Sequence, residues 1–143
     1  HKFSSLNTLC YLLNIPLKEL FKDTEFEECL IIRKREREKS GGYTFSPTAS
    51  SSIINNPNHS FLAQEFVLRP AGQTPVDRAP QGRGKYEKLV YVVMGQLVCV
   101  IAEKEMTLKG GDSISFDSTK PHSFKNISKV KCKFIAIENP GRY

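Results

Sequence analysis

Leu89–Asn126, LVYVVMGQLVCVIAEKEMTLKGGDSISFDSTKPHSFKN, decides how this chain is read. It breaks into short apolar-rich runs separated by turn residues, with Gly95, Gly110-Gly111-Asp112 and Lys120-Pro121 as the breaks. KLVYVVM and QLVCVIA flank Gly95, which predicts a β-hairpin there. EMTLK, SISFD and HSFKNI read as further strands. The stretch closes on Pro121-His122, with Asn126 four residues beyond the histidine.

The same pattern extends outward. FLAQEFVLRP, from Phe61, is a strand ended by Pro-Ala-Gly, and QTPVDRAPQGRGKY after it is a loop heavy in Gly and Pro. VKCKFIAIE, beyond Ser128-Lys129, is another strand. Many short strands with such breaks predict an all-β sandwich or barrel. No useful helical stretch interrupts them, which argues against a parallel α/β sheet.

The first part of the chain differs. Leu6, Leu9, Cys10 and Leu13 fall on one face of a helix. Ser4 or Ser5 can cap its start and Asn14 its end. Pro16 suits the start of a second helix in which Leu17, Leu20 and Phe21 share a face. Two such short helices cannot bury those faces alone and need a partner. DTEFEE, over 23–28, is acidic. CLIIRKREREK then reads as an apolar strand running into a charge run, with five basic and two acidic residues from Arg33 to Lys39. That run fits a solvated edge strand or linker, with a phosphate-contacting strip as the alternative. SPTASSSIINNPNHS reads as a flexible loop. The organisation expected is helices over 1–22, a linker or first strand over 23–42, and a β domain over 43–143.

At 143 residues and 39% apolar content the chain can build one ordinary core. No run approaches the length of a membrane span. HKFSSLNTLCYLL lacks a small-residue cleavage site and is not read as a signal peptide. The net charge of +6 suits nucleic acid, anionic ligands or solubility without choosing among them. Cysteines at 10, 29, 99 and 132 form no C-x-x-C pair, so neither a disulfide framework nor a zinc site is indicated. Reduced thiols in a cytoplasmic protein are the expectation, with Cys99 and Cys132 as small buried apolar groups.

Residues from about Phe61 to Pro140 resemble a cupin, a double-stranded β-barrel of the jelly-roll type. GGDSISFDSTKPHSFKN is similar to the second cupin motif, with Gly111-Asp112 at the turn and His122 at its metal-binding position. SSLNTLCYLLNIPLKELFK resembles the last two helices of a lambda-repressor-like (Xre-type) helix-turn-helix domain. The pair resembles a family of bacterial helix-turn-helix cupin transcriptional regulators. That resemblance implies a cupin sensor domain for a small molecule and a DNA-binding domain whose recognition helix lies before His1. It also implies a homodimer, because a two-fold protein matches a palindromic operator.

The family's metal site is three histidines and a carboxylate. Counting back seven residues from Gly95, its Glu position falls on Lys88, and its His-x-His positions fall on Gln81 and Arg83 or on Gly82 and Gly84. Only His122 remains of the set. No metal, no other cofactor and no catalytic residue is therefore expected. Glu87 is adjacent to Lys88, but a one-residue shift turns it to the opposite face. If the strand keeps its register, Lys88 points inward, and a buried cation needs a partner or a shifted pKa. A carboxylate or phosphate ligand would supply that partner, with His122 as a second donor. The alternatives are that Lys88 snorkels to the barrel mouth and that His122 is a hydrogen-bonded core residue. Tyr91, Phe116, Phe124 and Phe134 are core or pocket wall, Asn126 and Arg69 are further pocket candidates, and His59 is an exposed loop residue. The function expected is a non-catalytic sensor. A cupin enzyme of isomerase or dioxygenase type, with His122 and Glu87 or Tyr91 as acid and base, and a structural dimerisation module are the alternatives.

Overall fold

Alternation along the last strand sets the architecture: Cys132, Phe134, Ala136 and Glu138 are buried, while the residues between them are half-buried. The computed structural model describes residues 29–40 and 42–143. One short helix, α1 (Lys34–Ser40), precedes nine strands: β1 (Tyr43–Ser46), β2 (Ala49–Ile53), β3 (Leu62–Leu68), β4 (Glu87–Met94), β5 (Gln96–Ile101), β6 (Lys104–Lys109), β7 (Ser113–Asp117), β8 (His122–Lys125) and β9 (Cys132–Asn139). They form a six-stranded sheet, β1-β2-β3-β9-β4-β7, and a three-stranded sheet, β6-β5-β8, antiparallel throughout. The ladders thus form two separate sheets rather than one closed barrel. The helices expected over 4–22 lie outside the described residues.

The sheets meet through their inward faces. Phe66, Leu68, Phe134, Ala136, Val90 and Val92 come from the larger sheet, and Leu97, Cys99, Ile101 and Phe124 from the smaller. Phe66 stacks on Phe134 at 4.8 Å, and Phe124 reaches Phe134 from the opposite sheet at 5.0 Å. Such ring pairs add about 0.5–1.5 kcal/mol to the area they bury. Cys99 and Cys132 are fully buried here as small apolar groups, and burial pushes their thiols up to about 12 and about 11. Thiolate chemistry is thereby suppressed.

Three local expectations are corrected. The β4–β5 connection is not a hairpin, since β4 pairs with β7 and β9 whereas β5 pairs with β6 and β8. Gly95 is instead the corner between the sheets, at φ +84, where a Cβ would stand 2.6 Å from the Lys131 carbonyl oxygen. Only glycine fits that conformation and that approach. The charge run is a helix and not a strand. Its alternating signs suit i,i+4 pairing, as between Lys34 and Glu38 at 3.7 Å, and Ser40 Oγ donates to the Arg37 carbonyl. β2 lies inside the stretch read as a Ser-rich loop, and its pairing with β3 outweighs poor strand propensity. After it Asn55 donates to the Phe61 carbonyl and accepts from the Ala63 N–H, which orders the Asn-rich turn.

One further segment joins the smaller sheet. Residues 72–79 run beside β8 through the bridges Gln73↔Lys125 and Asp77↔His122. This loop therefore covers the β8 edge, the usual way of hiding an unpaired strand, and it carries Asp77 to the mouth of the space between the sheets.

Candidate functional site

Register brings the site together. On β4, Lys88 lies opposite Phe116 of β7 and Glu138 of β9. Because paired residues share a face, Lys88 and Glu138 both point inward beside each other. His122 opens β8 in the facing sheet. Asp77 and His122 exchange backbone hydrogen bonds of 2.8 and 2.9 Å. Arg142, just beyond β9, folds back over this group.

The contacts are dense. His122 Nδ1 donates to the Lys120 carbonyl oxygen at 2.8 Å, which leaves the lone pair on Nε2. Lys88 Nζ donates to that Nε2 at 2.9 Å and lies 3.5 Å from Asp77 and 3.7 Å from Glu138. Arg142 grips Glu138 with Nε and Nη2, both at 2.8 Å, and Asp77 with Nη2 at 2.8 Å and Nη1 at 3.2 Å. Such forked guanidinium–carboxylate contacts are the strong form of the ion pair. Two cations and two carboxylates thus balance in one cluster. Contact with His122, followed by the Arg142 guanidinium and the Lys88 charge, holds the Asp77 carboxyl far below the usual carboxylate range, against the opposing effect of burial. Burial pushes the Lys88 ammonium below its ordinary value, while Glu138 and Asp77 pull it back. Glu138 in turn raises Arg142.

A cleft of about 170 Å³ opens onto this cluster, lined by Leu62, Gln64, Asp77, Lys88, Ala136, Glu138 and Arg142. Of the residues singled out from sequence, only Lys88 lines it. Lys88 is inward and mostly buried, so it does not snorkel. His122 is buried behind the ammonium, braced by the Phe116 ring edge at 5.0 Å. Phe124 belongs to the core. Asn126 is a structural residue, donating to the Leu68 and Val130 carbonyls and accepting from Ser128. Tyr91 faces outward and is 45% exposed, because it sits three residues along β4 from Lys88 and so on the opposite face. Arg69 is exposed and lines a different groove. His59 is exposed.

Asp77, Glu138 and Arg142 were not singled out from sequence. Glu138 had a signal, as the carboxylate that ends the alternating apolar face Cys132, Phe134, Ala136. Asp77 and Arg142 had none, for both reach the cluster through pairing and chain reversal.

The cluster does not suit a divalent cation. The Nε2 lone pair that a metal needs is occupied by Lys88. Asp77 and Glu138 already hold two cationic side chains, whose charge repels a third. Residues 81–84, where the resemblance would seek further imidazoles, are exposed.

The comparisons with known proteins agree with the fold. Residues 67–138 match the family model described as Cupin_2, cupin domain. The HTH-type transcriptional regulator PuuR of Escherichia coli K12 is 26% identical over 143 residues, covering 98% of this chain and 74% of that protein. The cupin domain of an XRE family transcriptional regulator from Enterobacter cloacae superposes with a TM-score of 0.59 at 20% identity, covering 66% of this chain and 99% of that one. A predicted oxalate decarboxylase from Thermotoga maritima superposes with a TM-score of 0.57 at 18% identity, covering 64% and 80%. At these identities the two structures speak for the fold alone.

Proposed function

Since the chain belongs to the cupin family, we propose that it is the sensor domain of a helix-turn-helix transcriptional regulator, binding a small polar molecule in the cleft beside Lys88 without catalysis. The observation that carries this reading is the Lys88–His122 contact, which puts an ammonium where the family resemblance expects a metal-ligating carboxylate. The regulator assignment draws on the likeness to PuuR across nearly the whole chain. In the full regulator, DNA contact belongs to a domain of which residues 1–22 are the last part, and the active form is a cytoplasmic homodimer. Among the described residues no helix is long and apolar enough to cross a membrane.

The cluster narrows the ligand. Lys88 already faces Glu138 and Asp77, so a simple anion must compete with both. A ligand with an acceptor for Lys88 and donors for the carboxylates replaces those contacts at least cost. The cleft is smaller than the ~300–1,000 Å³ of drug-sized pockets, so the molecule is a small metabolite. The enzyme alternative draws only on shared fold, since decarboxylases and sensors use the same scaffold.

A calorimetric screen of small carboxylates, phosphates and amino acids tests the reading. Saturable binding that weakens in Lys88→Ala supports it, and equal affinity in the two proteins rejects Lys88 as a contact. Stoichiometric Fe, Mn, Ni or Zn by elemental analysis would restore the enzyme reading. Sequence-selective nanomolar DNA binding by this chain would overturn the assignment of 1–22, because phosphate attraction alone gives a Kd of roughly 10⁻⁴ to 10⁻⁶ M.

A further inference from the structure

We infer that the groove between α1 and the outer face of the larger sheet is a second binding site, for a compact phosphate-bearing anion. The groove has a volume of about 490 Å³. Its floor is one cross-strand rung, Thr44↔Ser50, Ser50↔Val67 and Val67↔Lys133, whose side chains all face away from the core. α1 forms one wall with Lys34 and Arg37. That volume lies in the ~300–1,000 Å³ range of small-molecule pockets, but ordinary pockets are largely apolar. Here hydroxyls and charged side chains predominate in the lining, which favours a polar ligand over an apolar one.

The charges are unbalanced. Lys34 pairs with Glu38 at 3.7 Å and Arg37 with Glu65 at 3.4 Å. Arg69, Lys131 and Lys133 also line the groove, and among the described residues none of the three has an ion-pair partner. The ladder pair Leu68↔Cys132 brings Arg69 and Lys131 to neighbouring positions at its end. Like charges so placed repel each other, and an anion between them removes that repulsion.

A second observation comes from the opposite wall. Arg37 Nε is buried without a hydrogen-bond partner among the described residues. Its contact with the Glu65 carboxylate, through Nη2, is long at 3.4 Å. A buried donor left unmade is costly, so Arg37 gains from a shift that turns its guanidinium toward an oxyanion in the groove it lines. A guanidinium fork, nearby ammonium groups and hydroxyl donors together match the geometry and charge of a phosphate. The concave shape favours a compact anion over a duplex backbone, which needs cations spread along a line.

The test titrates the purified protein with inorganic triphosphate at roughly physiological salt and reads binding by calorimetry. Wild type should bind saturably at one site. The Arg69→Ala/Lys133→Ala variant should weaken binding about tenfold or more, while Lys88→Ala, which alters only the interior cleft, should leave it unchanged. A charge-matched control, Lys104→Ala/Lys129→Ala, should also leave it unchanged. Absence of saturable binding, an equal loss in the charge-matched control, or a loss in Lys88→Ala overturns the proposal. Tight binding of duplex DNA with none of triphosphate also overturns it, in favour of a nucleic-acid surface.

Discussion

The interior cleft and the outer groove use the same residue types to opposite ends. In the cleft, Lys88 and Arg142 each meet both Asp77 and Glu138, and the imidazole of His122 takes the remaining ammonium contact. In the groove, the carboxylates Glu38 and Glu65 lie with Lys34 and Arg37, and Arg69, Lys131 and Lys133 have no ion-pair partner among the described residues. Burial explains the difference. A charge removed from water must be paired or neutralised, whereas an exposed charge can wait in solvent for a ligand. A closed charge cluster selects by demanding replacement of every contact, and an open one attracts by field alone.

The largest expected effect comes from opening the closed cluster. Arg142→Ala leaves Glu138, which is 4% exposed, with Lys88 as its sole cationic partner among the described residues. We expect a loss of about 2–3 kcal/mol by urea denaturation, below the range for fully enclosed pairs because Arg142 is itself partly exposed. In a double-mutant cycle, Glu138→Gln should recover part of that loss. If the two substitutions are simply additive, Arg142 is a surface residue and the contrast with the groove fails.

Asp77 gives the next effect, through pH. Its native pKa is depressed, so its contribution is fully present above the ordinary value of 3.8 and is lost as pH falls below it. Asp77 is half exposed, so screening limits this contribution to about 1 kcal/mol. Thermal melts from about pH 5 down to about pH 2 should show the gap between wild type and Asp77→Asn constant above 3.8 and narrowing below it. Parallel curves would remove Asp77 from the cluster.

Lys88→Met should change stability by less than about 1 kcal/mol, because Glu138 keeps Arg142 and an apolar side chain avoids the burial penalty. The sign depends on pH. The native pKa of Lys88 is lowered, so wild type gains stability as pH rises from that value towards 10.5, and Lys88→Met should not. The smallest effect belongs to the groove. Lys133→Ala should stay within about 0.5 kcal/mol of wild type, and a larger loss would mean that this lysine is paired after all.

Much of the fold was legible because its signals are local. Glycine breaks and period-two alternation mark the strands after Phe61, and the spacing implied by the cupin resemblance, counted back from Gly95, puts Lys88 on the inward face. Gly95 itself was misread: a positive-φ glycine between two strands serves a hairpin or a corner equally well, and only pairing partners distinguish them. Ser50 and Ser52 hid a strand because serine is common in loops. The site was half legible. Lys88 and His122 could be named, but the contacts of Asp77 and Arg142 exist only once residues 72–79 pair with β8 and the chain turns back after β9.

That turn has a practical consequence. Arg142 clamps Glu138 and Asp77, and the next residue, Tyr143, contacts the Phe61 carbonyl and Asn55. A proteolytic clip after Gly141 therefore removes two side chains that tie β9 to the 72–79 segment and to the Asn-rich turn. Such a product would differ from the intact chain by little in mass yet melt earlier, so intact-mass measurement belongs beside every binding or stability comparison made on this protein.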